Sequence, residues 1–213
     1  MYKDQCFLNF DEYFRYKAVA EIIDAMGKKG LSVLDVGGGA GRFLNFLKDH
    51  SATSVDIKQG IDGTQLPYET GSFDVVTSID ALEHVIKKDR AKFITEMVRV
   101  SRKKTILAFP HSEATEVTLF MNKFTNGWLK EHIEKGLPSQ KEVEDILDGL
   151  PVTYKVYRNL DAAVWAVMTI AEWYAPQELK QKLNKKFNRL FYGNLNDDPC
   201  YRLIYEIDLM KEV

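Results

Sequence analysis

Asp35-x-Gly37-x-Gly39-x-Gly41 stands where an apolar run, Ser32 to Val36, breaks off and a second amphipathic stretch begins. Glycines in such a turn allow positive φ and let the backbone approach a ligand with no Cβ in the way. The first amides of a following helix point at an anionic group. Asp56 lies 21 residues after Asp35, at the end of the next apolar run, Ala52 to Ile57. A carboxylate there suits the paired hydroxyls of a ribose. The dinucleotide fingerprint demands a third glycine three residues after the second, and that position holds Arg42. An acid at Asp35 repels a pyrophosphate and suits an ammonium group. A ligand with a ribose, a positive amino group and no phosphate fits these residues, and S-adenosylmethionine is that ligand.

Proton-transfer chemistry has a second set of candidates. His84, His111 and His132, with Glu83 and Asp80, are the side chains able to act as a base near such a turn. His111 follows Pro110 at what should be the carboxyl edge of a sheet, where open α/β folds bind ligands; the plainer reading is an exposed loop histidine. Trp128-x-x-Glu131-His132 offers an aromatic and an imidazole for substrate contact, or simply a tryptophan packed on neighbouring helices. His50 reads as a surface residue at a helix end. The two cysteines, Cys6 and Cys200, are far apart and form no CxxC pair. No metal-ligand signature stands out, and none is expected. Unpaired thiols point to a reducing cytoplasm.

These residues need strands and helices to hold them. Residues 12–26 carry Tyr13, Phe14, Ala18, Val19, Ile22, Ile23 and Met26 at helical spacing. Strands are expected over 32–36, 52–57, 73–79 and 105–109, with helices after the glycine turn and over 88–101. That alternation predicts a doubly wound α/β fold with a mostly parallel sheet. After Pro110 the rhythm changes. Helices are expected over 113–126, 161–174 and 176–191, a capping box at Ser139-x-x-Glu142, and strands over 152–157 and 200–209. Leu179, Leu183, Phe187 and Leu190 share one helical face, with Lys180, Lys182, Lys185, Lys186 and Arg189 around it. With no linker and no repeat, residues 1–213 read as one domain. Its cofactor-binding half is about 31–110, and 111–137 with 161–192 form a helical cap over the substrate.

Composition narrows the partners. A chain of 213 residues that is 45% hydrophobic supports one core and excludes wholesale disorder. Net charge is −2, which gives no electrostatic footprint for nucleic acid. The longest near-continuous apolar run, Ala162 to Ala171, covers ten residues, about half a membrane span. The opening Met1-Tyr2-Lys3-Asp4 carries no signal segment. A small molecule is the expected partner, and exposed apolar residues of the cap could make a homodimer.

The run VLDVGGGAGRF (33–43) resembles motif I of class I S-adenosylmethionine-dependent methyltransferases. IDGTQLPYETGSFDVVTSIDALEHV (61–85) and KFITEMVRVSRKKTILAFP (92–110) are similar to the next segments of that family's small-molecule branch. The departure is SRKK (101–104), where relatives usually carry a proline-glycine turn. The resemblance implies a seven-stranded sheet with an antiparallel last strand. It implies that Asp35 and the backbone of Gly37, Gly38, Gly39 and Gly41 hold the methionine moiety, that Asp56 takes the ribose, and that Ile57 packs on the adenine. Asp62, with Gly63 and Leu66 beside it, would accept from the adenine amino group. Ile79 and Asp80 would lie beneath the sulfonium, and Arg15 and Tyr16 would close over the cofactor. The activity implied is methyl transfer to oxygen or nitrogen of a small molecule or glycan-type metabolite. Two other readings stand beside it: a non-catalytic cofactor-binding regulator, and a nicotinamide-dependent oxidoreductase, which Asp35 and Arg42 disfavour. The NPPY-type tetrad used on nucleic-acid amines is absent, with Ser78-Ile79-Asp80-Ala81 in its place.

Overall fold

The computed structural model describes residues 5–210; Met1–Asp4, read above for a targeting signal, lie outside them. The strands are β1 (Ser32–Val36), β2 (Ser51–Val55), β3 (Phe73–Ile79), β4 (Ser101–Pro110), β5 (Val152–Asp161) and β6 (Cys200–Leu209). They form one sheet in the order β2-β1-β3-β4-β6-β5. The first four run parallel, and β6 is antiparallel to both of its neighbours.

Alternate residues of each strand enter opposite layers, as the pleat requires. Val33, Val75, Ile106 and Ile204 join one core. Leu34, Val76, Leu107 and Tyr205 join the other. The first layer is covered by α1 (Phe10–Asp24), α6 (Ala162–Tyr174) and α7 (Gln177–Phe191). The second is covered by α2 (Arg90–Val100) and α5 (Gln140–Leu147). Asn9 caps α1, its side chain accepting from the amides of Asp11 and Glu12. This places Asp11 and Arg15, one turn apart, at the carboxyl edge of the sheet. Two shorter helices, α3 (Thr115–Asn122) and α4 (Lys130–Lys135), follow β4.

Several expectations need correction. Six strands form among the described residues, not seven. Between Gly60 and Ser72 the chain carries Gly60, Gly63, Pro67 and Gly71, and turns and side chains satisfy its backbone: Asp62 accepts from Thr64 N–H at 2.8 Å and Glu96 from Leu66 N–H at 2.9 Å. After the glycine turn stands a 3-10 segment of five residues, Arg42–Phe46, in place of an α-helix. The strand expected from Thr105 begins at Ser101, so SRKK is strand. On α7, Leu179 and Leu190 are exposed, and Asn184 and Asn188 are buried beside Phe187. The reason is local. Asn184 accepts the Phe10 N–H at 3.0 Å, and Asn188 donates to the carbonyls of Cys6 and Leu8 at 3.1 and 3.0 Å. Two polar side chains thus tie α7 to the segment that starts α1.

Candidate functional site

The glycine turn has little freedom. Gly37, Gly39 and Gly41 have φ of +76°, +54° and +69°. A Cβ on Gly37 would come within 2.5 Å of the Ala81 Cβ, and one on Gly38 within 2.0 Å of Asp35 Oδ2. Gly37 N–H donates to the Val55 carbonyl at 2.8 Å, and Gly39 N–H to Asp56 Oδ2 at 3.0 Å. Asp56 also accepts from Lys58 N–H at 2.9 Å, so it braces the loop from the end of β2. Asp35 is buried, and Thr77 Oγ1 donates to it at 3.0 Å. Burial outweighs that hydrogen bond and pushes the carboxyl up to about 7.

A cavity of about 300 Å³ opens beside this turn. Asp35, Gly37, Gly38, Gly39, Ile79, Asp80, Arg15 and Tyr16 line it, so eight residues expected at the cofactor meet there. Asp56 lies off its wall but is bonded to Gly39, which lines it. Ile57, 66% exposed, and the exposed Asp62, which accepts from Thr64 N–H, lie beyond β2 and off the cavity wall. Gly63 packs against Phe93 and Leu66 is buried in the second core, so those two are not brought to the cavity. A second cavity, of about 280 Å³, shares Glu12, Arg15 and Arg42 with the first. Trp128, Trp165, Trp173 and Glu172 wall it, which places the predicted Trp128 on a pocket.

Beneath the first cavity lies a charge network that sequence reasoning missed. Asp80 takes the left-handed conformation, φ +51°, as the chain leaves β3. Arg202 Nε and Nη2 donate to its two oxygens, each at 2.6 Å, and Arg15 Nη1 donates at 2.7 Å. Asp11 joins both guanidiniums, at 2.5 Å from Arg15 and 3.0 Å from Arg202. Burial opposes the charge on Asp80, but Arg202 and Arg15 overcome it and hold the carboxyl well below its usual range. The one visible signal was the Asp11–Arg15 spacing on α1. Nothing local pointed to Arg202.

The histidines separate. His111 Nε2 lies 3.0 Å from the Cys200 carbonyl, at the start of β6, and lines neither cavity. Burial lowers its pKa. His84 and His132 meet, with ring centroids 4.9 Å apart, beside the buried Glu83. Burial, then the Asp80 charge, raises the Glu83 carboxyl; burial, then His84, lowers His132 to about 4. His50 is not a surface residue: its side chain is 2% exposed, with Nε2 3.8 Å from Asp24.

With this geometry in view, comparison with known proteins is direct. Residues 34–109 match the family model described as a methyltransferase domain. That match covers about a third of the chain and agrees with the resemblance of the glycine turn and its acids to class I S-adenosylmethionine-dependent methyltransferases. Ajmaline N-methyltransferase of Rauvolfia serpentina is 35% identical over a 218-position alignment covering 88% of this chain and 63% of that protein. Norajmaline N-methyltransferase of the same plant is 34% identical over 116 residues, 43% of this chain and 38% of that protein. The chain therefore spans less than two thirds of either relative's length. Among solved structures, magnesium protoporphyrin IX methyltransferase from Synechocystis PCC 6803 aligns with a TM-score of 0.58 at 14% identity, over 95% of this chain and 85% of that one. A Haemonchus contortus phosphoethanolamine N-methyltransferase aligns at 0.58 and 14%, over 92% of this chain and 53% of that one. At such identities the likeness is one of fold.

Proposed function

We propose that this chain is an enzyme that transfers a methyl group from S-adenosylmethionine to a nitrogen or oxygen of a small molecule or glycan-type metabolite. The observation that carries the reading is the glycine turn: a cradle that a Cβ would fill, braced by Asp56 and floored by Asp35, opening on a cavity beside Asp80. These residues fit the cofactor. Asp35 and the loop amides would hold its amino-acid end, Asp56 the ribose, and Ile57 and Asp62 the adenine. When bound, S-adenosylmethionine supplies an electrophilic methyl carbon on a sulfonium.

The chain's own residues then need to orient an acceptor and exclude water, which can supply about 7–11 kcal/mol of the barrier. The second cavity is the place we assign to the acceptor. Its tryptophans make an aromatic wall with Glu172 beside them, while Asp11 and Glu12 on the same cavity are paired with Arg15 and Arg42. Aromatic faces suit a cationic amine, and the two plant relatives are named as N-methyltransferases. Trp165 and Trp173 on α6, and Trp128 between α3 and α4, give these helices the part of a substrate cap. An acceptor that arrives protonated must lose a proton; the candidate bases His84, His111 and His132 line neither cavity, and His111 Nε2 faces the Cys200 carbonyl.

Calorimetry with S-adenosylhomocysteine tests the reading. One molecule should bind per chain, and Asp56→Ala should weaken binding at least about tenfold, the loss of a charged hydrogen-bond partner. No heat with the native chain, or unchanged affinity in the variant, would overturn the cofactor assignment.

A further inference from the structure

Glu83 and His84 leave the end of β3 in a 3-10 turn, Leu82–His84, and α4 lays His132 against them. One ligand atom from each of the three lies within 4.8 Å of the others. Glu83 Oε1 is 4.0 Å from His84 Nε2. A divalent ion about 2.1 Å from each donor in tetrahedral geometry holds its ligand atoms about 3.4 Å apart. Small side-chain adjustments close that difference.

Two independent features say that something belongs between them. Glu83 is 1% exposed and its Oε2 has no hydrogen-bond partner, and neither has His132 Nδ1. Among the described residues no lysine or arginine pairs with Glu83; the nearby guanidiniums of Arg15 and Arg202 are both on Asp80. A buried, unpartnered carboxylate oxygen calls for an occupant. The other feature is an orienting contact. His84 Nδ1 lies 3.0 Å from Glu131 Oε2, and Glu131 is in turn held by Lys135 at 2.6 Å. A carboxylate on one imidazole nitrogen fixes the proton there and leaves the other nitrogen free as a ligand. Here that free atom is Nε2, the one that faces Glu83.

We propose that Glu83, His84 and His132 form a binding site for a divalent first-row transition-metal ion, with Glu131 orienting His84. Two imidazoles and one carboxylate suit Zn²⁺, Co²⁺ or Mn²⁺ better than Mg²⁺, and three protein ligands leave a position open. Asp80, three residues before Glu83, lines the cofactor cavity. An ion held there with one position open could take a water and ease its deprotonation. The site rests on this chain's side chains alone and stands whether or not methyl transfer is the activity.

The test uses the full chain stripped with EDTA and titrated with Co²⁺, followed by visible absorption, and with Zn²⁺, followed by calorimetry. One ion per chain should bind, with a d–d spectrum of nitrogen and oxygen ligation. Glu131→Gln should weaken binding about 10–100-fold, the usual effect of removing an orienting partner, and His84→Ala and His132→Ala by more. His84 is 43% exposed at its side chain, so His84→Ala should fold even where changes at the buried Glu83 do not. Binding of S-adenosylhomocysteine by the stripped chain, unchanged, shows that the protein is intact. Absence of stoichiometric Co²⁺ and Zn²⁺ binding, or binding retained in both histidine variants, would overturn the proposal while leaving the cofactor reading in place.

Discussion

Arg202→Met should be among the most damaging single changes in this chain. Arg202 is fully buried on β6, and it donates to Asp80 twice, to Asp11 and to Asn159. Asp11 and Asp80 face Arg15 and Arg202, so the network is neutral as it stands. Without Arg202 the two carboxylates share one guanidinium, and that one already spans both with a single nitrogen, Arg15 Nη1, at 2.5 and 2.7 Å. One negative charge is left buried without compensation. Removing one partner of such a pair costs about 3–5 kcal/mol. For a domain of this size that lowers Tm by about 6–20 °C. Urea and thermal unfolding followed by tryptophan fluorescence would measure it. Arg202→Met combined with Asp80→Asn should recover part of the loss, because the stranded charge is then gone. A single variant within about 1 kcal/mol of the parent, or a double variant less stable than the single one, would refute the account of the network as compensated buried charge.

Two further outcomes are expected. Asp35 ionises near 7, so affinity for S-adenosylhomocysteine, whose ammonium this acid would meet, should rise as pH climbs through about 7, and Asp35→Asn should abolish the rise; a flat profile in the native chain would sink the assignment. The same shift has a stability sign: the native state holds this proton more tightly than the unfolded chain, so the contribution is complete below the ordinary aspartate value of 3.8 and fades as pH rises to about 7. Gly38→Ala should destabilise by about 1–3 kcal/mol, the range for overpacking, since its Cβ would stand 2.0 Å from Asp35 Oδ2 and 2.3 Å from Ser54 Oγ. Denaturation should show it, and a variant as stable as the parent would mean that the turn is not packed as described.

What could be read from the sequence was what short range decides. Ser32–Val36 and Phe73–Ile79 are buried apolar runs ended by turn residues, and both form strands at those bounds. Arg15 and Tyr16, expected at the cofactor from the family resemblance, are successive residues of α1, and both line the cavity with the glycine turn. Long-range pairings were hidden. Arg202 finds Asp80 across 122 positions and Asp11 across 191. Cys200–Leu209 was expected as a strand and forms one, but its place between β4 and β5, buried along most of its length, was not in view. Asn184 and Asn188 drew no expectation, because their backbone partners lie at the other end of the chain. His84 and His132 could be weighed only singly until α4 was seen to fold back on the turn after β3.

The buried charges explain how a floor for chemistry can be rigid at this sheet edge. Asp80 sits in a conformation that non-glycine residues seldom adopt, and such a residue persists only where its surroundings over-determine it. Here its N–H donates to the Ala108 carbonyl of β4 at 2.9 Å, Arg202 of β6 grips both carboxylate oxygens, and Arg15 of α1 holds one of them again. Three elements thus fix one side chain that lines the cavity at the glycine turn. The walls are different: Ile57, Trp128 and Trp173 are all exposed. A floor that cannot shift, under walls that a ligand must complete, is the arrangement in which positioning can do most of the work of the proposed methyl transfer. It follows that loosening the floor should lower turnover even in a variant that still binds S-adenosylhomocysteine with native affinity.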